Sequence, residues 1–199
     1  MTPMAQSKQG VGARTVAGRW RAAARWWLPC ALAAALAGPV AAQTSREYDL
    51  KAVFLYNFAT FVEWPDDALP GNKPFTIGVL GSDPFGTVLD RVIVGEQVKG
   101  HPLAVRRCKT PAEARECQIV FISGSEASRL PEILRTLHGL PVLTVADMPR
   151  FLEAGGVIGF STEARVQLHV NLDAARQARL NISSKLMRVA NVHDPGAPP

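Results

Sequence analysis

No catalytic signature is present in this sequence. It has no G-x-S-x-G nucleophile elbow, and Ser183-Ser184-Lys185 lacks the S-x-x-K spacing of acylating serine enzymes. Neither H-E-x-x-H nor a cysteine–histidine metal spacing occurs. The four histidines, His101, His138, His169 and His193, are scattered through four different segments. The glycine run from Gly78 through Gly81 to Gly86 is not G-x-G-x-x-G and has no Walker lysine. No enzyme, metal or cofactor is therefore expected. Long apolar runs are also missing after residue 43. The most apolar helix candidate, 46–64, is interrupted by Asp49, Lys51, Asn57 and Glu63, so no membrane span is expected and the product should be soluble.

Acidic residues are absent from residues 1–25, which carry Lys8, Arg14, Arg19, Arg21 and Arg25. An apolar run from Trp26 to Ala37 follows, too short to cross a bilayer comfortably. Next come the helix breaker Gly38-Pro39 and the small residues Val40-Ala41-Ala42. A basic region, a short apolar region and a small-residue site, in that order, predict a secretory signal peptide over 1–42, cleaved after Ala42. Cys30 does not read as a lipoprotein cysteine, because Pro29 precedes it. The leader holds five of the 22 basic residues, which leaves 17 against 17 acidic ones. The basic character thus belongs to the leader, and a nucleic-acid footprint is excluded for the rest. The remaining 157 residues suit one domain with a sizeable core.

Cys108 and Cys117 remain in the mature segment. An oxidising compartment favours a disulfide between them. If they flank a short helix between parallel strands, however, they are expected too far apart to bridge, and Cys117 is then a buried free thiol.

From Thr44, with Glu47 three residues on as a capping box, Leu50, Val53, Phe54, Phe58, Phe61 and Val62 recur at helical spacing until Pro65. Phe75–Leu80 reads as a strand, and Pro84 as the first residue of a helix carrying Phe85, Val88, Leu89 and Val92. Further strands are expected over Leu103–Arg107, Gln118–Ser123 and Val142–Val145. Helices are expected just after Thr110 and over 126–138. Val157–Phe160 and Arg165–Asn171 predict a hairpin whose second strand has one wet face, and a helical stretch from about Asp173 to Ala190, with a candidate break near Asn181, closes the domain. The pattern predicts a single α/β domain over 43–192, with a mostly parallel sheet flanked by helices, a C-terminal antiparallel hairpin, and a disordered tail over 193–199.

Two sets of residues are candidates for function. Gly81, Ser82, Asp83 and Asp147 follow predicted strands, at the carboxyl edge where open α/β sheets bind ligands, although turn and cap roles account for them equally well. Tyr48, Tyr56 and Trp64 belong to an aromatic first helix, whose rings suit either the core or a protein partner.

The segments Tyr48–Phe58, Val62–Pro65, Ile77–Gly81, Asp83–Gly86, Cys117–Ser123, Leu143–Asp147, Val170–Leu172 and Leu180–Leu186, in this order and spacing, resemble the YfiR family of periplasmic proteins. The resemblance implies a periplasmic repressor that binds the sensor domain of an inner-membrane diguanylate cyclase and lowers cyclic-di-GMP. It also implies an OmpA-like outer-membrane lipoprotein as a sequestering partner, and a homodimer. The alternative is a periplasmic small-molecule-binding sensor domain serving another membrane receptor, with the Gly81–Asp83 and Asp147 edge as its site.

Overall fold

The computed structural model describes residues 38–162 and 165–193, with side chains from residue 44 onward. The predicted leader up to residue 37, the hairpin residues Glu163 and Ala164, and the tail beyond His193 lie outside the described residues. The chain parts into two units, Met1–Ala42 and Gln43–Pro199, and every side-chain contact below lies within the second.

The elements follow one another as helix α1 (Gly38–Phe61), β1 (Val62–Glu63), a 3-10 turn (Asp66–Ala68), β2 (Phe75–Leu80), α2 (Val88–Ile93), β3 (Gln97–Val98) and β4 (His101–Cys108). Then come α3 (Pro111–Ala114), β5 (Ile119–Ile122), a 3-10 turn (Gly124–Arg129), α4 (Leu130–Leu137), β6 (Leu143–Ala146), β7 (Ile158–Thr162) and β8 (Val166–Val170). The chain ends in α5 (Leu172–Gln177), β9 (Asn181–Ile182), α6 (Ser184–Met187) and β10 (Ala190–Val192).

One eight-stranded sheet has the order β10-β8-β7-β6-β5-β2-β4-β3. Its centre is parallel: β4, β5, β6 and β7 join β2 in one direction. The β7–β8 hairpin is antiparallel, with Phe160 opposite Leu168, and β3 turns back on β4 at the far edge. β2, β5 and β6 are buried at every position, which is why their sequences are continuous apolar runs rather than alternating ones. Along β5, Ile119 and Phe121 enter one core with α1, α2, α5 and α6. Val120 and Ile122 enter a second core with α3 and α4. Each large side chain withdrawn from water there contributes about 1.5–3 kcal/mol.

Three local expectations need correction. Thr44 does not open the first helix, which already runs from Gly38; Pro39 fits its first turn, where no backbone N–H is required. The buried face of α1 is Ala52, Leu55, Phe58 and Ala59, with Phe54 and Phe61 half-buried on its flanks and Leu50 and Val53 exposed. Small Ala52 and Ala59 let the helix lie close to the sheet. Pro84 stays in a turn, since α2 begins only at Val88. The C-terminal stretch breaks close to Asn181, as its sequence suggested: Arg179 adopts a left-handed φ of 57°, and β9 then pairs with β1.

Gly156 shows how little slack the second core has. A Cβ at this position would overlap the ring of Phe151, which is itself buried. Gly156→Ala is expected to destabilise the protein by about 1–3 kcal/mol through overpacking. Urea unfolding with an unchanged m-value would measure the loss.

Candidate functional site

The most unusual side chain in the molecule is Lys51, which is 1% exposed. An ammonium removed from water must be paired, because its uncompensated desolvation costs several kcal/mol. Three elements provide the pairing. Lys51 Nζ lies 2.5 Å from Glu47 Oε1, one turn earlier on α1, and 2.6 Å from Asp147 Oδ2, just beyond the carboxyl end of β6. Its charge also sits 4.5 Å from the centroid of the Tyr48 ring and 5.7 Å from that of Phe160 on β7.

The partners are themselves tied down. Tyr48 donates its hydroxyl to Asp147 Oδ2 at 2.8 Å. Burial first, and the hydrogen bond to the Asp147 carboxylate second, push this phenol well above its usual range. It therefore remains a protonated donor at any physiological pH. Thr162, at the end of β7, donates to Glu47 Oε1 at 2.8 Å. The Tyr48 ring meets Phe85 edge-on at 5.5 Å, and Phe85 in turn meets Phe121 at 4.8 Å. Helix α1 is thus fastened to the carboxyl edge of the sheet at β2, β6 and β7 together.

That edge holds all four residues of the predicted ligand set but does not gather them into one site. Asp83 caps its own turn: Oδ1 accepts from the N–H groups of Phe85 and Gly86. Its Oδ2 accepts from Arg107 Nε at 2.9 Å. Arg107 also forks onto both oxygens of Asp90 and donates to the Gly86 carbonyl. The guanidinium holds the Asp90 carboxyl below its ordinary range. Gly81 has φ +93°, and a Cβ there would stand 2.5 Å from Ser125 Oγ; the same hydroxyl accepts from Ser82 N–H. The space over Gly81 and Ser82 is filled by the chain's own Gly124–Arg129 turn. Asp147 belongs to the Lys51 cluster instead.

The predicted aromatic surface also divides. Trp64 is buried against Phe75 and donates its indole N–H to the Gln118 carbonyl, so it presents no ring to a partner. Tyr48 faces inward as described, and Tyr56 donates to Glu96 Oε2 at 2.8 Å. Among the described side chains of α1, the exposed large apolar groups are Leu50 and Val53, one turn apart. Sequence reasoning treated Lys51 only as an interruption of an apolar helix. The signal that marks it is a lysine one position from the buried Ala52, with Glu47 at i−4 and an aspartate directly after a buried strand.

Cys108 ends β4 and Cys117 precedes β5, strands that lie on either side of β2. Their sulfurs are 3.9 Å apart and both residues are buried, so the expected separation does not hold. Gly78 explains the approach: a Cβ on this residue of β2 would lie 2.9 Å from Cys117 Sγ and 3.4 Å from Cys108 Sγ. The hydrogen bond between the two sulfurs, assisted by Arg106, lowers the pKa of the Cys108 thiol. The same bond and burial raise that of Cys117.

The DUF4154 family model, YfiR/HmsC-like, matches residues 48–191, a span that includes Tyr48, Lys51, Asp147 and Thr162 of the Lys51 cluster and the cysteine pair. No curated protein sequence is similar to the chain. Among solved structures, a conserved domain protein from Vibrio cholerae O1 biovar El Tor is 12% identical with a TM-score of 0.47, over 60% of this chain and 55% of its own. The ABC domain from Streptococcus pneumoniae, solved with L-Trp, is 13% identical with a TM-score of 0.45, over 64% and 59%. The chain spans little more than half the length of either.

Lys51→Met keeps the apolar stem and removes the charge, which leaves the Glu47 and Asp147 carboxylates facing each other without a cation. The expected loss is about 3 kcal/mol, at the lower end for a broken buried pair, because both carboxylates keep some contact with water. Guanidinium unfolding of the variant beside the parent protein would measure it.

Proposed function

Because the chain belongs to the YfiR/HmsC-like family, whose members are periplasmic regulators in cyclic-di-GMP signalling, we propose that it binds the periplasmic sensor domain of an inner-membrane diguanylate cyclase and holds the cyclase inactive. The observation that carries this reading is the family match across the whole α/β domain. The family is a regulatory one, and repression of this kind requires only a surface that prefers one state of its partner. Shifting a cyclase from about 1% to about 99% inactive takes about 5.5 kcal/mol of differential binding. An interface of roughly 1,600 Å² is large enough to supply it.

The contact we assign is the outer face of α1 around Leu50 and Val53, on a helix made rigid by the Lys51 cluster. An OmpA-like lipoprotein that competes for the repressor, and a homodimer as its working form, complete the proposal. In the native host, deletion of the gene should raise intracellular cyclic-di-GMP, and restoring the exported protein should reverse the rise. A Leu50→Glu/Val53→Glu double variant should fail to reverse it while unfolding at the same temperature as the parent. A level unchanged by deletion, with both proteins expressed, would refute the repressor reading.

We also propose that Cys108 and Cys117 are joined in the periplasm. Their thiols would lose two electrons and two protons to a dithiol–disulfide oxidoreductase, forming one S–S bond across Gly78. Closing a loop of this length stabilises a chain by about 2.5–3 kcal/mol on the chain-entropy model. Protein recovered from the periplasm should resist alkylation until reduced, and its mass should then show two thiols. Alkylation of both cysteines without reduction would rule the bridge out.

A further inference from the structure

The face of the sheet opposite α1 is only partly covered. α4 and the Asp147–Gly156 loop lie over β5, β6 and β7, and Leu152 packs onto Gly159, its Cγ 3.2 Å from where a Cβ would stand. Beyond that loop, the alternation of β8 and β10 turns Gln167, His169 and Asn191 to this face, where the Asn191 amide donates to Gln167. Between loop and strands lies a cleft of about 350 Å³, whose lining includes Asp147, Met148, Leu152, Ser161, His169 and His193. Its volume is within the range of small-molecule sites.

Three features give the cleft a chemical preference. First, its upper rim is electrically unbalanced: the Lys51 cluster sets two carboxylates, Glu47 and Asp147, against one ammonium. Both hydrogen bonds to Asp147 fall on Oδ2, and no donor among the described residues reaches Oδ1. Second, the charge of the one arginine of the lining, Arg150, is matched by Glu153, also in the lining and 3.2 Å away, so the pair adds no net positive charge. Third, the floor carries polar groups: Ser161 Oγ and His169 Nε2 are 2.9 Å apart, and His193 Nε2 is buried without a partner. An orphaned buried nitrogen is uncommon in a finished structure and marks a place where a polar group belongs.

We propose that this cleft binds a small organic cation, a primary ammonium on an apolar or aromatic body. The ammonium donates to Asp147 Oδ1 and the Ser161 hydroxyl, and the body lies against Met148 and Leu152. An anion is disfavoured by the surplus carboxylate at the rim, and a neutral analogue forgoes the charge-assisted hydrogen bond to Asp147.

The test is calorimetric titration of the purified protein at low ionic strength with phenethylammonium, 2-phenylethanol and phenylacetate. Saturable binding of phenethylammonium is expected, at least tenfold tighter than the alcohol, with no binding of phenylacetate. Ser161→Phe, which fills the cleft from its floor, should weaken the ammonium at least tenfold. If that variant does not fold, amide shifts of the parent protein on adding phenethylammonium decide the matter, and they are expected at Ser161, His169 and His193. No binding of the ammonium, equal binding of the alcohol or carboxylate, undiminished binding by a folded Ser161→Phe, or shifts elsewhere would each overturn the proposal.

Discussion

A charged ammonium inside a protein is tolerable only where opposite charge and hydrogen bonds are already in place to receive it, and this domain is arranged around that constraint at Lys51. Tyr48 and Glu47 lie on the same helix, but Asp147 and Thr162 come from strand ends on the sheet. The helix can therefore occupy one position only. A shift along its axis by one turn would leave a buried charge facing apolar side chains, at a cost comparable to much of the stability of a domain this size. The consequence for function is a rigid outer face, so Leu50 and Val53 are presented in a fixed orientation rather than on a fraying helix. Preorganisation of this kind lowers the ordering cost of association.

The carboxyl edge of the sheet is divided between two charge clusters, each with two carboxylates around one cation. Around Arg107, the guanidinium satisfies Asp83, Asp90 and a backbone carbonyl at once, so this half of the edge is a sealed structural clamp. Around Lys51, by contrast, no donor among the described residues reaches Asp147 Oδ1. Physical asymmetry between two superficially similar aspartates, each directly after a strand, separates a capping residue from one with capacity left for a ligand.

Much of the architecture was legible from local pattern. Phe75–Leu80 is the strand its apolar run announced, Thr110 accepts from Glu113 N–H as a capping residue should, and the hairpin and parallel centre stand where the change in period placed them. What escaped is tertiary in origin. The rotation of the α1 core face toward Ala52 and Leu55 depends on how closely alanine lets the helix approach the sheet, and on a lysine that has to point inward. The strand that follows the break near Asn181 depends on β1, over a hundred residues away in sequence, as the partner of β9. The meeting of Cys108 and Cys117 depends on a missing side chain at Gly78, in a strand that precedes both. The two aspartates were found at the correct edge, but nothing in their local sequence tells which one a distant lysine will claim.

The sequence separations in the Lys51 cluster also bear on the order in which the domain can assemble. Tyr48 and Lys51 reach partners 99 and 96 residues later, and Glu47 one 115 residues later. A chain that emerges amino end first therefore presents α1 long before β6 and β7 exist to receive it. Until then Lys51 stays hydrated, and Phe58 lacks the Phe160 ring on which it stacks. Closing so long a loop is slow relative to forming local turns. The domain can thus close around Lys51 only when its last third has arrived.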